Sequence, residues 1–229
     1  MDMKTKISHA IKFLTVFSAL GGVLLSLFYA KQDGYSHWGK RLLYFTAQSN
    51  IWIGINFLFL LLLPLKKKPQ PWLAGGYLLK YIFTVSITMT GLIFCSLLAP
   101  FAGEDYQPWR LCNLLTHVFT PILALTDLFL DEYPIPLDGK KVYLSLLPFF
   151  FYFLLASVLG AVGMDFGRGE NYPYFFLNHS SPAGIFGFSN THPFYVGSFY
   201  WIILFSGIVV GISFLYKEII KRKKKRQTV

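Results

Sequence analysis

Apolar residues in this chain come in long unbroken runs, not in the alternation of a half-buried strand or the one-sided stripe of a surface helix. Six runs reach about the 20 residues that a helix needs to cross roughly 30 Å of hydrocarbon. They are read at about 11–30, 43–63, 75–99, 111–130, 142–163 and 196–216. The predicted fold class is all-α, a polytopic membrane helix bundle with six transmembrane helices. Residues 1–216 form a single six-helix membrane domain and 217–229 a basic tail. Lys4, Lys6 and Lys12 precede the first run as in a secretory leader, but Ser26-Leu27-Phe28-Tyr29-Ala30 offers no small-x-small cleavage site. The segment is expected to stay as the first helix.

The connections at Pro64–Pro71 and Asp131–Pro136 read as short, proline-punctuated turns, which implies antiparallel neighbours. The connection at 164–195 is long and rich in Gly, Pro, Asn and aromatics. Its aromatic content argues against disorder and predicts a cap over one end of the bundle, on the outer face.

Composition supports the same class, since 54% of the residues are hydrophobic and 14% charged, against about a quarter charged in a soluble domain. The net charge of +10 points to membrane lipids and not to nucleic acid, because the basic residues flank apolar runs as juxtamembrane segments do. Fifteen Lys and Arg fall on one side of the spans, including Lys66 to Lys68, Lys140, Lys141 and Lys221 to Arg226, and five on the other: Lys31, Lys40, Arg41, Arg110 and Arg168. The positive-inside rule then places both termini in the cytoplasm of a cell-membrane protein. The two cysteines, Cys95 and Cys112, lie in apolar runs and form no disulfide scaffold or paired zinc motif. His179 and His192, with Asp165 and Glu170 nearby, are too widely spaced to argue for zinc, so no metal is assigned.

Polar side chains inside spans are costly and tend to face the bundle interior, where they often mark function. In the second span Thr46, Ser49 and Asn50 share one stripe, with Asn50 about 40° and Ser49 about 60° from Thr46 at 100° per residue; Ile53 and Phe57 continue it as packing. In the fourth, Asn113, His117 and Thr120 form a second stripe. Pro121 removes the helical partner of the His117 carbonyl and predicts a kink there. Thr46 and His117 lie about 6 and 9 Å below the starts of their helices, hence at similar depth. Asp127 lies about 15 Å deeper than His117 and cannot orient it. Thr84, Thr88, Gly91 and Cys95 make a small-residue face suited to close helix packing. Lys80 is expected to snorkel to the interface.

A Thr hydroxyl needs a base to act as a nucleophile at neutral pH, and His is the usual one. Thr46 with His117 fits that pattern, and Ser49, Asn50, Asn113 and Thr120 are candidate substrate or oxyanion donors. The plain alternative is that these groups are satisfied structural polar residues.

The runs Phe45-Thr46-Ala47-Gln48-Ser49-Asn50, Thr90-Gly91-Leu92-Ile93-Phe94 with Leu98-Ala99-Pro100, Thr116 to Leu123, and Tyr172-Pro173-Tyr174-Phe175-Phe176-Leu177 resemble the androgen-induced gene and androgen-dependent TFPI-regulating protein family, its bacterial branch most. The resemblance implies a six-helix hydrolase with an intramembrane Thr nucleophile and a His base, which in animals cleaves fatty acid esters of hydroxy fatty acids. By motif the Thr falls on Thr46 and the His on His117, and Tyr172 and Tyr174 join the pocket mouth. An aromatic anchor at the membrane interface is the other role for that segment. After the Thr, Ala47-Gln48-Ser49-Asn50 departs from the aromatic-acidic context of the animal proteins, which bears on the substrate.

The expected function is therefore an intramembrane lipid esterase that needs no cofactor. Its rivals are a non-enzymatic lipid carrier or receptor, and an acyltransferase using Thr46 or Cys95. A transporter is disfavoured because neither inverted symmetry nor membrane-core charge pairs are legible in the sequence.

Overall fold

A computed structural model describes residues 3–62, 71–101, 106–131, 136–167, 169–190 and 196–227. Among the described residues six helices are long and apolar enough to cross a membrane: α1 (Met3–Tyr29), α2 (Phe45–Leu62), α3 (Trp72–Leu98), α4 (Leu111–Leu130), α5 (Gly139–Ala161) and α6 (Ser198–Lys225). The chain is thus an all-helical, multi-pass membrane bundle; among the described residues the only extended pairing is one isolated bridge between Phe188 and Val196. The expected turns over 64–70 and 132–135, along with Arg168 and His192, lie outside the described residues.

Helices α1 to α4 pack in a ring, α1 against α2 and α4, α3 against α2 and α4, while α5 and α6 lie on the outer side of α3. One core cluster, Ala19, Ile53, Phe57, Ile87 and Ala124, fills the ring. The Ile53–Phe57 stripe therefore packs inward as its helical phase requires. A larger, aromatic-rich cluster joins α3, α5 and α6 to the long loop through Phe149, Tyr152, Phe166, Phe176, Trp201 and Phe205. That loop caps the bundle: its 3₁₀ turn Phe175–Leu177 buries Phe176 and Leu177. Gly167 has a φ of 122°, and a Cβ there would meet the Tyr35 ring at 2.4 Å, so glycine alone lets the loop close onto that ring.

Two π-helical turns interrupt the ring, Phe94–Leu98 at the end of α3 and Leu115–Phe119 within α4. The second precedes Pro121, whose ring and missing N–H both conflict with the carbonyl of His117. The wider π turn at the position of the predicted kink accommodates that conflict. The His117 carbonyl instead faces α3, where a Cβ on Gly91 would lie 2.8 Å from it. Gly91 is thus required by close approach, as the small-residue face predicts.

At the end of the bundle holding the N-terminus, the structure corrects three expectations. Helix α1 starts at Met3 and not near 11, so Lys12 lies within it, 4% exposed. Lys80 does not snorkel; it is fully buried, 2.5 Å from Asp127 Oδ2 and 2.8 Å from Asp131 Oδ2. Lys12 completes the group at 3.1 Å from Asp127 and 2.8 Å from Asp131, and Ser8 donates to Asp127 at 2.7 Å. Membrane-core charge pairs are therefore present, contrary to the sequence expectation. Two ammoniums and two carboxylates balance in charge, which is how such groups survive burial. The physical reason is pairing: two acids, Asp127 on α4 and Asp131 at its end, reach Lys80 and hold its ammonium inside the bundle. The basic segment after 216 continues the last helix to Gln227, and Lys223 donates to the Leu130 and Asp131 carbonyls at 2.8 Å each.

Candidate functional site

At the opposite end, the ring of helices encloses a cavity of about 300 Å³. Val23 and Ser26 of α1, Thr46 and Ala47 of α2, Phe94 and Leu98 of α3, and Asn113, Thr116 and His117 of α4 form its wall. Tyr35, Arg41, Tyr44 and Tyr106, from the connections, and Pro173 and Tyr174, from the long loop, close it. Thr46 and Tyr174 also line a narrow apolar cleft with Phe149, Phe153 and Leu177. They stand where the polar cavity meets the apolar one.

Thr46 is the second residue of α2, whose first N–H groups have no partner within the helix. The Tyr174 hydroxyl lies 3.4 Å from both the Thr46 amide nitrogen and Thr46 Oγ1. The amide donates to Tyr174, which leaves the phenolic O–H free to donate to Oγ1. Burial pushes the Tyr174 phenol up to about 12, against the lowering effect of Thr46, so it stays protonated at neutral pH. Burial likewise pushes Tyr106 up to about 12 and raises Tyr44 well above the ordinary tyrosine value.

His117 stands on the π turn of α4 and is 6% exposed. Its ring stacks on Phe94, with centroids 3.9 Å apart and planes 9° from parallel. Nδ1 is buried with no partner at hydrogen-bond geometry. The Thr90 backbone is within reach of the ring. The ring thus lines the cavity with one nitrogen buried and unpaired, the kind of group whose satisfaction calls for an explanation.

The other candidates divide. Asn113 lines the cavity and donates to the Gln107 carbonyl at 3.0 Å. Ser49 and Asn50 lie behind it: Ser49 Oγ is 2.9 Å from Thr90 Oγ1 and donates to the Thr46 carbonyl at 3.2 Å. Asn50 Nδ2 donates to the carbonyls of Thr46, at 2.8 Å, and Thr116, at 3.2 Å. With both of its N–H bonds committed, Asn50 holds Thr46 and α4 in place and has no donor left for an oxyanion. Thr120 donates to Ser18 Oγ at 3.0 Å on the α1–α4 contact, away from the cavity. Tyr172 lines a separate hollow of about 120 Å³ with Asn171 and His179. Cys95 is exposed and does not line the cavity, which removes support for it as a nucleophile there.

His179 bridges two serines, with Nε2 3.1 Å from Ser157 Oγ and Nδ1 2.8 Å from Ser198 Oγ. Among the described residues no three His, Cys, Asp or Glu side chains gather as a metal site.

Sequence reasoning missed Phe94, Tyr35, Arg41, Tyr44 and Tyr106. Arg41 and Tyr44 fall within five residues of Thr46, a proximity that was a usable signal. The Phe94–His117 stack had none, since it depends on two π turns facing each other. Comparison with family models, with curated proteins and with solved structures finds no match to this chain.

Proposed function

We propose that the chain is an intramembrane lipid esterase in which Thr46 is the nucleophile and His117 the general base. The observation that carries this reading is that Thr46 and His117, from different helices, line one cavity. The motif resemblance supports it independently, through the same two residues. An ester of the fatty-acyl type, with esters of hydroxy fatty acids as the model, enters from the apolar cleft. Thr46 Oγ adds to the ester carbonyl carbon while His117 takes the hydroxyl proton. The tetrahedral oxyanion is met by the Tyr174 hydroxyl, which turns to it from Thr46 Oγ1 as the new bond forms, near the start of α2, whose helix end also favours negative charge. Collapse breaks the bond to the leaving alcohol, which takes the proton from His117. Water, deprotonated in turn by His117, releases the acyl group and restores Thr46.

The excess of Lys and Arg near the termini supports cytoplasmic ends in a cell membrane, which puts the cavity in the outer leaflet. A lipid carrier is the second reading, favoured by one observation: the hydroxyl within hydrogen-bond distance of Thr46 Oγ1 belongs to Tyr174 and not to the imidazole.

Fluorophosphonate labelling of the purified protein in detergent tests the esterase, with the modified peptide mapped by mass spectrometry. The expected result is modification at Thr46, lost in Thr46→Ala and His117→Ala. Folded wild-type protein that stays unlabelled, or Thr46→Ala that labels equally, overturns the esterase and favours the carrier.

A further inference from the structure

Several hydroxyls inside the spans donate to the carbonyl four residues back: Thr84 to Lys80 at 2.7 Å, Ser86 to Ile82 at 3.1 Å, Thr126 to Ile122 and Ser213 to Val209 at 2.7 Å each. Ser157, on α5, departs from this habit. Its Oγ lies 3.1 Å from His179 Nε2, and His179 Nδ1 lies 2.8 Å from Ser198 Oγ at the start of α6. A hydroxyl, an imidazole and a group that holds the far ring nitrogen thus stand in unbroken hydrogen-bond contact. This is the constellation by which a hydroxyl is activated: a nucleophile, its base, and a third group that orients the base.

The surroundings suit that chemistry. Ser157 lies about 6 Å of helix from the last residue of α5, Ala161, beside the long loop. His179 is exposed on that loop, so water reaches the base, while Ser198 is 3% exposed and holds Nδ1 from a fixed position. Partial desolvation lowers the imidazole below its ordinary 6.5, which keeps it neutral and able to accept a proton at pH 7.5. His179 lines the hollow of about 120 Å³ between α5 and the loop, and so does Gly160, about 60° from Ser157 around the helix. Asn178 lines it too, and its Oδ1 accepts the Ser180 N–H at 3.0 Å. That bond fixes the carboxamide and leaves its NH₂ edge as an oxyanion donor.

We propose that Ser157, His179 and Ser198 form a second hydrolytic site, separate from the Thr46 cavity, that cleaves esters of short acyl groups. The hollow sets the acyl length, being smaller than the roughly 300 Å³ at which pockets for larger ligands begin. In the assigned tautomer Nδ1–H donates to Ser198 Oγ and Nε2 accepts from Ser157. Ser157 Oγ adds to the ester carbonyl carbon as its proton passes to Nε2. Collapse breaks the bond to the leaving alcohol, which takes that proton. Water then gives a proton to Nε2 and adds to the acyl-serine; the acid leaves, and Ser157 recovers its proton.

The test treats purified full-length protein in neutral detergent with diisopropyl fluorophosphate and assigns each adduct to its peptide by mass spectrometry. Hydrolysis of p-nitrophenyl acetate above the protein-free rate is followed in parallel. Ser157 is modified in wild type and to the same extent in Thr46→Ala, and Ser157→Ala loses both the adduct and the acetate turnover. His179→Gln keeps a hydrogen-bonding side chain but no base, and slows modification about a hundredfold or more. Ser198 is a positioning residue: Ser198→Ala slows modification about tenfold, and Ser198→Thr, which keeps the hydroxyl, restores the rate. Folded wild-type protein without an adduct at Ser157 overturns the site. So does modification at the wild-type rate in folded His179→Gln, which would make the two hydrogen bonds a clamp between the loop, α5 and α6. Should that variant not fold, an unchanged rate in Ser198→Ala overturns it instead. The two sites are scored on separate peptides: an adduct at Thr46 alone keeps the Thr46 esterase and removes this site, and one at Ser157 alone does the reverse.

Discussion

Phe94 and His117 stand on two separate π-helical turns and stack face to face with ring centroids 3.9 Å apart. The extra residue in each turn widens the helix and swings a side chain that an unbroken α-helix would aim elsewhere. The stack fixes the imidazole plane while leaving Nδ1 without a partner. Phe94→Ala removes a ring that is 1% exposed, opens a void beside His117 and lets the imidazole rotate. The expected cost is about 3 kcal/mol of stability, read by thermal unfolding in detergent. A fall in fluorophosphonate labelling accompanies it, and labelling at the wild-type rate in folded Phe94→Ala would show that the stack does not orient the base.

Tyr174 ties the long loop to the start of α2 through its hydroxyl, while its ring contacts with Tyr44 and Phe176 survive loss of the oxygen. Tyr174→Phe is expected to cost about 1 kcal/mol in stability. The labelling rate should fall about tenfold or more if the hydroxyl meets the oxyanion. Rate measurements on Tyr174→Phe check this, and an unchanged rate assigns Tyr174 to loop anchoring.

Gly91 lies where α3 and α4 approach most closely. In Gly91→Ala the added methyl would meet the His117 carbonyl at 2.8 Å and Pro121 Cγ at 3.1 Å. Backbone cannot give way as a flexible side chain can, so the helices must separate, at about 1–3 kcal/mol. Thermal unfolding of the variant measures the loss.

Lys80 and Asp127 are both fully buried at the far end of the ring. Removing one charge strands the other, so Lys80→Met or Asp127→Asn should each cost about 3–5 kcal/mol. Lys80→Met with Asp127→Asn restores charge balance, since Lys12 and Asp131 still pair at 2.8 Å. The double variant should therefore be more stable than the sum of the single losses implies. Additive losses in the thermal melts would argue against coupling.

Asp131 caps the end of α4 and reports the same cluster by pH. Burial raises its carboxyl, but Lys80 and Lys12 more than offset this and hold it at about 2, below the ordinary 3.8. The folded value lies below the unfolded one, so the contribution is present above pH 3.8 and is lost as pH falls through about 2. It amounts to about 2 kcal/mol. Melting temperatures between pH 5 and 2 should fall more steeply in wild type than in Asp131→Asn.

Much of the architecture is legible along the chain because membrane helices are dictated by run length and by backbone groups that only a helix satisfies in lipid. The six spans are of this kind, and so are the inward phase of Ile53 and Phe57, the packing role of Gly91 and the similar depth of Thr46 and His117. Periodicity places residues on faces, and rise per residue places them at depths; both are local quantities. What only the tertiary structure decided is which faces meet and what each polar group finds there. Asn50 shares the stripe of Thr46 yet spends its N–H bonds on two carbonyls, one of them on α4. Tyr174 and Tyr172, two residues apart, end in different hollows. Lys80 looks like an interfacial lysine until Asp127 and Asp131 arrive from a helix about 50 residues away in sequence. A hydrogen bond or ion pair is satisfied by whatever group the fold delivers, and that delivery depends on helix order and on the two π turns, neither of which any local pattern encodes.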